Sequence, residues 1–122
     1  MAKLDRASRE RLRRMLTERL PGHWAVTSDA TEYAYVEADQ DGDRPDTRFP
    51  DVGTSVVEVT NGPNGIVATA YVRVRCPPGY PEARKPLRTL CEERGRGWSR
   101  RVADAIIEHA LEADAERPAT GP

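Results

Sequence analysis

The segment 54–75 constrains the fold of this chain most strongly, because two runs rich in β-branched residues flank a five-residue turn. The turn reads Asn61-Gly62-Pro63-Asn64-Gly65, and these residue types accept the backbone angles of tight turns. The pattern predicts a β-hairpin with strands over 54–60 and 66–75. In the second strand Ile66 and every second residue after it share one face, which we expect to belong to the core.

Helical periodicity appears near both ends of the chain. Apolar residues at helical spacing predict an amphipathic helix from Asp5, its N-cap, to Leu20, where Pro21-Gly22 ends it. A second apolar stripe predicts a helix from Ser99 to about Ala113. Both helices are long enough to cover one side of a sheet.

The remaining periodic segments predict a second hairpin and a short helix. Residues 23–27 and 32–38 have the composition of two strands around a turn. Pro86 is a suitable first residue for a short helix that ends near Gly95, with Leu87 facing inward. The order predicts an α+β domain with an N-terminal helix, a four-stranded antiparallel sheet of two hairpins, and the short and C-terminal helices packed on one face.

The length of 122 residues is typical of one domain, which we expect over residues 1–114. Residues 39–53 are rich in Asp, Gly and Pro without periodicity and predict an exposed acidic loop, whereas residues 115–122 predict a disordered acidic tail. No apolar run approaches the roughly 20 residues of a membrane span, and the N-terminus lacks an apolar signal core. We therefore expect a cytoplasmic protein without membrane contact.

The chain contains no complete motif for catalysis, cofactor binding or metal binding. The aspartates between positions 39 and 43 alternate as calcium ligands do, but Arg44 and Pro50 occupy the sixth and twelfth positions of such a loop. The two cysteines and two histidines lack zinc-ligand spacing, and a structural role for Cys91 is favoured over a nucleophile pair with His109. We expect no enzyme, no cofactor, no metal and no small-molecule substrate.

Charge is strongly segregated along the chain. Residues 1–20 carry seven basic and three acidic groups, and residues 21–60 carry two and nine. Residues 61–101 carry nine basic and three acidic groups, and residues 102–122 carry one and five. Either these segments neutralise each other within the fold or they remain available to a charged partner.

Tyr71, Arg73 and Arg75 form the first candidate site for an anionic partner, because alternation places them on one face of the second strand of the predicted hairpin. Two guanidinium groups about 7 Å apart beside an aromatic ring can bind phosphates and stack bases. The alternative is that Tyr71 packs against a neighbouring strand while the arginine stems lie along the surface.

Arg96, Arg100 and Arg101 form the second candidate site, around a glycine-containing turn and the start of the last helix. The backbone amides at a helix N-terminus attract phosphate. The alternative is internal pairing of this segment with the acidic residues of 37–51.

The segment Gly95-x-Gly97-x-Ser99-Arg100-Arg101-x-Ala103 resembles the GxGxSKKxA segment that opens the last helix of double-stranded RNA-binding domains. Gly62-Pro63 resembles the loop between the first two strands of that family, so the resemblance covers residues 54–111. It implies an α-β-β-β-α order and duplex RNA as the ligand. It also implies that Arg100 and Arg101 correspond to lysines that span phosphates across the major groove.

This sequence departs from the family pattern at Asp104, where another lysine is usual, and in residues 76–94, where the predicted short helix replaces a third strand. The same region also admits a helix-turn-helix, with Pro86–Arg94 as the first helix and Ser99–Ala113 as the recognition helix.

These observations predict a small non-catalytic α+β module that binds an anionic partner, with nucleic acid as the first choice. The alternative is a protein-interaction, regulatory or assembly subunit of the phage or mobile-element type. Its complementary charged surfaces would bind a protein partner or form a homo-oligomer. The predicted nucleic-acid-binding residues are Tyr71, Arg73, Arg75, Arg96, Arg100 and Arg101.

Overall fold

The computed structural model describes residues 3–31, 33–40, 53–75 and 83–116. They form an α+β fold with two helices and a five-stranded antiparallel sheet, in which consecutive strands are neighbours. The elements are α1 (Arg6–Arg19), β1 (Ala25–Asp29), β2 (Tyr35–Asp39), β3 (Ser55–Gly62), β4 (Gly65–Val74), β5 (Ala83–Glu93) and α2 (Trp98–Glu116).

The hairpin predicted from the β-branched runs is confirmed as β3 and β4, which pair up to Gly62 and Gly65 at the turn. Gly65 has a φ of 147°, and a Cβ atom on it would lie 2.5 Å from the backbone oxygen of Glu93. Glycine is therefore required at this position. The first hairpin is also confirmed, as β1 and β2, although its strands begin two or three residues later than predicted.

The N-terminal helix is confirmed with Asp5 as its N-cap. An Asp5 carboxylate oxygen accepts a hydrogen bond from the Ser8 backbone N–H at 2.9 Å, and the Ser8 hydroxyl accepts one from the Asp5 N–H at 2.9 Å. Hydrogen bonds from the backbone and side chain of Ser8 lower the pKa of the Asp5 carboxyl. Further along α1, Leu12 and Leu16 are fully buried.

The segment 83–93 is a strand, so the predicted short helix at Pro86 is wrong and the sheet has five strands instead of four. The helix-turn-helix arrangement is excluded for the same reason. β5 pairs with β4, whose backbone groups on that side require hydrogen-bond partners. This tertiary pairing outweighs the local preference of Pro86 for a helix start. Leu87, expected to face inward, has 53% of its surface exposed.

Both helices pack on one face of the sheet and enclose one hydrophobic core. α1 contacts β1 and β2, whereas α2 contacts β5 and, to a smaller extent, β3 and β4. The apolar stripe predicted for the last helix is confirmed, since Val102, Ile106 and Ala110 are fully buried in this core. Neither helix of the described ranges has the length and apolarity needed to cross a bilayer.

Two predicted segments fall largely outside the described residues. Of the acidic loop, residues 41–52 lie outside them, while Asp39 is the last residue of β2. α2 continues to Glu116, two residues into the predicted tail, and residues 117–122 lie outside the described ranges.

Candidate nucleic-acid interface

The structure separates the predicted nucleic-acid-binding residues into two groups. Arg73 lies opposite Arg84 near the end of β4, whereas Ile66 at its beginning lies opposite Glu93, the last residue of β5 before the turn into α2. The seven residue steps from Ile66 to Arg73 span about 23 Å of strand. The two groups therefore occupy opposite ends of the sheet. Tyr71, Arg73 and Arg75 are at one end, and Arg96, Arg100 and Arg101 are at the other.

Arg73 lies on the sheet face that the helices leave uncovered, and its guanidinium is bound within the fold. Its Nη1 atom donates a hydrogen bond to the Thr54 hydroxyl at 2.8 Å, and its Nη2 atom donates to an Asp39 carboxylate oxygen. Only 6% of Arg73 is exposed, whereas Arg75, two positions further, is exposed. A phosphate would have to displace the Asp39 carboxylate to reach Arg73.

The surroundings of Arg73 on this face are acidic. Arg84 on β5 pairs with Glu37 on β2 at 2.5 Å and lies 3.9 Å from Glu58 on β3. Tyr71 is half-buried between these strands, which fits the alternative in which it packs within the sheet. Two arginines and three carboxylates, including Asp39, thus pair on this face and leave one negative charge in excess, so part of the charge segregation is resolved internally.

Arg101 holds the turn between β5 and α2. Its Nε atom donates to a Glu93 carboxylate oxygen at 2.9 Å, and its two Nη atoms donate to the backbone oxygens of Arg96 at 2.8 Å and Arg94 at 3.1 Å. Gly95 and Gly97 have φ angles of 90° and 79°, a conformation that favours glycine. Arg101 therefore acts as a positioning residue that fixes the shape of this turn.

Arg94, Arg96 and Arg100 project from the turn that Arg101 holds, and all three are exposed. No ion pair or hydrogen bond joins these three side chains to any residue within the described ranges. The first turn of α2 also contains no acidic residue, so its N-terminal backbone dipole is not compensated there. Positive potential is therefore concentrated at this end of the sheet.

The start of α1 lies at the same end. The Leu4 backbone N–H donates to the Asn61 side-chain oxygen at 2.8 Å, and Asn61 pairs with Ile66, which pairs with Glu93. Lys3 and Arg6 beside this contact are exposed. Their side chains have no ion pair or hydrogen bond with the part of the chain that the structure describes. We call the set Lys3, Arg6, Arg94, Arg96 and Arg100 the basic end.

The sequence prediction missed Lys3, Arg6 and Arg94. The excess of basic residues over positions 1–20 was a signal for the first two, but only the contact between Leu4 and Asn61 shows where they lie relative to α2.

Cys91 and His109, the pair that the sequence analysis considered as a nucleophile and its base, lie partly or fully buried in the fold. Burial, together with the nearby Glu93 carboxylate, raises the pKa of the Cys91 thiol to about 11, so the nucleophilic thiolate is scarce near neutral pH. His109 is 7% exposed, and its Nδ1 atom lies 3.4 Å from Nη2 of Arg88. Within the described ranges no three His, Cys, Asp or Glu side chains are grouped for metal binding.

Comparison with family models, curated proteins and solved structures found no match for this chain. The resemblance to double-stranded RNA-binding domains therefore stays a prediction. Over the region that it covers, β3, β4, β5 and α2 follow in the order strand, strand, strand, helix. Residues 83–93 form a strand where the sequence predicted a short helix, while the described residues form five strands between α1 and α2, not the three that the resemblance implies.

Proposed function

We propose that this protein is a small non-catalytic module that binds nucleic acid through the basic end. The observation that carries the proposal is that Arg94, Arg96 and Arg100 are exposed and have no counterion among the described residues, whereas Arg73 and Arg84 are paired with carboxylates. Exposed guanidinium groups bind phosphate oxygens with two parallel hydrogen bonds.

The turn at the start of α2 favours such binding because its geometry is set before the partner arrives. Arg101 contributes three hydrogen bonds that fix the backbone from which Arg94 and Arg96 project. A fixed backbone reduces the conformational entropy that is lost when a phosphate binds. Five basic groups make few phosphate contacts, so we expect weak binding that decreases steeply with salt.

The binding site can be tested by fluorescence anisotropy with labelled duplex RNA, duplex DNA and single-stranded DNA at low salt. The double variant Arg96→Ala/Arg100→Ala removes two groups of the basic end. The matched control, Arg14→Ala/Arg75→Ala, removes the same charge from two exposed residues outside the basic end. We expect about tenfold or greater loss of affinity in the first variant, since each arginine–phosphate contact contributes on the order of 1 kcal/mol.

The control variant should keep its affinity within about threefold, apart from the general effect of net charge. Equal losses in the two variants would indicate nonspecific attraction without a site. No binding of any of the three nucleic acids at low salt would refute the proposal. Preference for duplex RNA would agree with what the family resemblance implies.

A further inference from the structure

We propose that the exposed edge of β5 binds a second copy of this chain, with the two β5 strands antiparallel across a two-fold axis. The edge of β5 adjoins the basic end at Glu93, but pairing of two copies along this edge is a property separate from nucleic-acid binding. β5 is the last strand in the sheet order, and residues 85–89 in its middle are exposed. Its 11 residues extend over about 36 Å.

An edge strand of this length is unusual when it is left uncovered, because its outer backbone groups are a template for another strand. The uncovered surface also includes an apolar side chain, since Leu87 is 53% exposed. Among the described residues, no strand lies beyond β5. A partner strand would bury Leu87 and form hydrogen bonds with some of the outer backbone N–H and C=O groups of β5.

The order of charges along β5 selects a second copy as the partner. Lys85 and Arg88 make the first half of the strand basic, whereas Glu92 and Glu93 make its end acidic. Arg84 does not contribute to this charge, because Glu37 already pairs with it. An antiparallel copy brings the basic half of each strand beside the acidic end of the other. Parallel pairing would place like charges together, which is unfavourable.

The distribution of β5 side chains between the two sheet faces is compatible with a two-fold axis near Thr89. Lys85 lies opposite Val72 and Glu93 lies opposite Ile66, and both β4 residues belong to the helix-covered face. An axis at Thr89 therefore places Lys85 opposite Glu93 of the second copy on the same face, and Thr89 opposite its own copy, a favourable cross-strand pair.

Arg88 lies close to this axis, where its two copies would approach each other. Its Nη2 atom is 3.2 Å from a Glu112 carboxylate oxygen of α2, so each copy brings its own counterion. Arg88 and Glu112 of the two copies would then form a group of four alternating charges around the axis. Like-charge repulsion between the two copies of Arg88 is thereby offset.

Pro86 and two bulges interrupt the regular ladder of β5. The pairing with β4 shifts at Leu87 and at Leu90, and such features limit indiscriminate edge association. Pro86 and the bulges reduce the number of backbone hydrogen bonds that β5 can form with a partner strand. The charges and shapes of the side chains therefore determine which strand can bind. We therefore expect a weak dimer whose population depends on protein concentration.

Sedimentation velocity over a range of concentrations tests this dimer in wild type and in K85E, E93K and the double variant K85E/E93K. Each single variant places like charges together twice in the symmetric dimer and should weaken it about tenfold or more. The double variant exchanges the two signs and should restore the affinity to within about threefold. Leu87→Ser should also weaken the dimer, while Thr27→Lys on β1, at the opposite edge, should not.

Circular dichroism of each variant confirms that it is folded before its association is compared. A wild-type chain that is monomeric at every concentration overturns the proposal. A dimer that K85E and E93K leave unchanged also overturns it, because another surface must then form the contact. If the double variant stays as weak as the single variants, the antiparallel arrangement is wrong.

Discussion

Replacing Arg73 with alanine should strongly destabilise the fold, because this arginine is part of a buried ion pair. Arg73 is 6% exposed, and the side chain of its partner Asp39 is 22% exposed. The substitution also takes a hydrogen-bond donor away from the fully buried Thr54 hydroxyl. Breaking a buried pair costs about 3 to 5 kcal/mol, and the partial exposure of Asp39 reduces this to about 2 to 4 kcal/mol.

Urea unfolding followed by circular dichroism measures this loss directly. With a slope of about 1.5 kcal/mol per molar urea, the midpoint should fall by about 1 to 3 M. Arg75→Ala is the matched control, because Arg75 is exposed and should change the stability by no more than about 0.5 kcal/mol. The double variant Arg73→Met/Asp39→Leu should regain at least half of the loss, since it leaves no buried charge from this pair.

Equal midpoints for Arg73→Ala and Arg75→Ala would refute the structural role assigned to Arg73. Nucleic-acid binding by the folded Arg73→Ala variant gives an independent check, because the affinity should stay within about threefold of wild type. A selective loss of affinity with unchanged stability would instead return Arg73 to the binding site.

Three further predictions concern other parts of the fold. Burial and the nearby Arg88 guanidinium lower the pKa of His109 in the folded state. As the pH falls, the imidazole of the unfolded chain is therefore protonated at a higher pH than that of the folded chain, which favours unfolding. Wild type should therefore lose urea stability as the pH falls from 7.5 to 5.5, and His109→Gln should lose less; equal slopes would contradict this. Asp114→Ala removes an acceptor 2.7 Å from the buried Gln40 amide and should cost about 1 to 3 kcal/mol in the same assay, with no loss contradicting the network. Gly65→Ala should lower the melting temperature far more than Gly22→Ala, where an added Cβ has no neighbour within 4 Å, and equal effects would contradict the close approach at the turn.

The sequence predicted the elements whose signals are local. The capping pattern at Asp5 and the turn at 61–65 identify α1 and the hairpin of β3 and β4, because a few adjacent residues determine these structures. The alternation of side chains along β4 also predicted which face of the sheet carries Arg73. Its partner Asp39 did not, because that carboxylate is 34 positions away and only the strand order brings the two together.

β5 was mistaken for a helix because Leu87, Leu90 and Cys91 have the spacing of one helix face. In the strand, Leu87 and Leu90 are instead the residues at which the pairing with β4 shifts. These bulges depend on the neighbouring strand and leave no local signal in the sequence. Pro86, which is also tolerated in edge strands, strengthened the wrong interpretation.

The salt dependence of nucleic-acid affinity tests the proposed role of the basic end most directly. If all five groups contact phosphates of a DNA duplex, log K should fall against log salt with a slope of about −4.5, at 0.9 per contact. The Arg96→Ala/Arg100→Ala variant should reduce the steepness of this slope by about 2, while Arg14→Ala/Arg75→Ala should leave it unchanged. An equal slope for the first variant and wild type, or no measurable binding at low salt, would contradict the account.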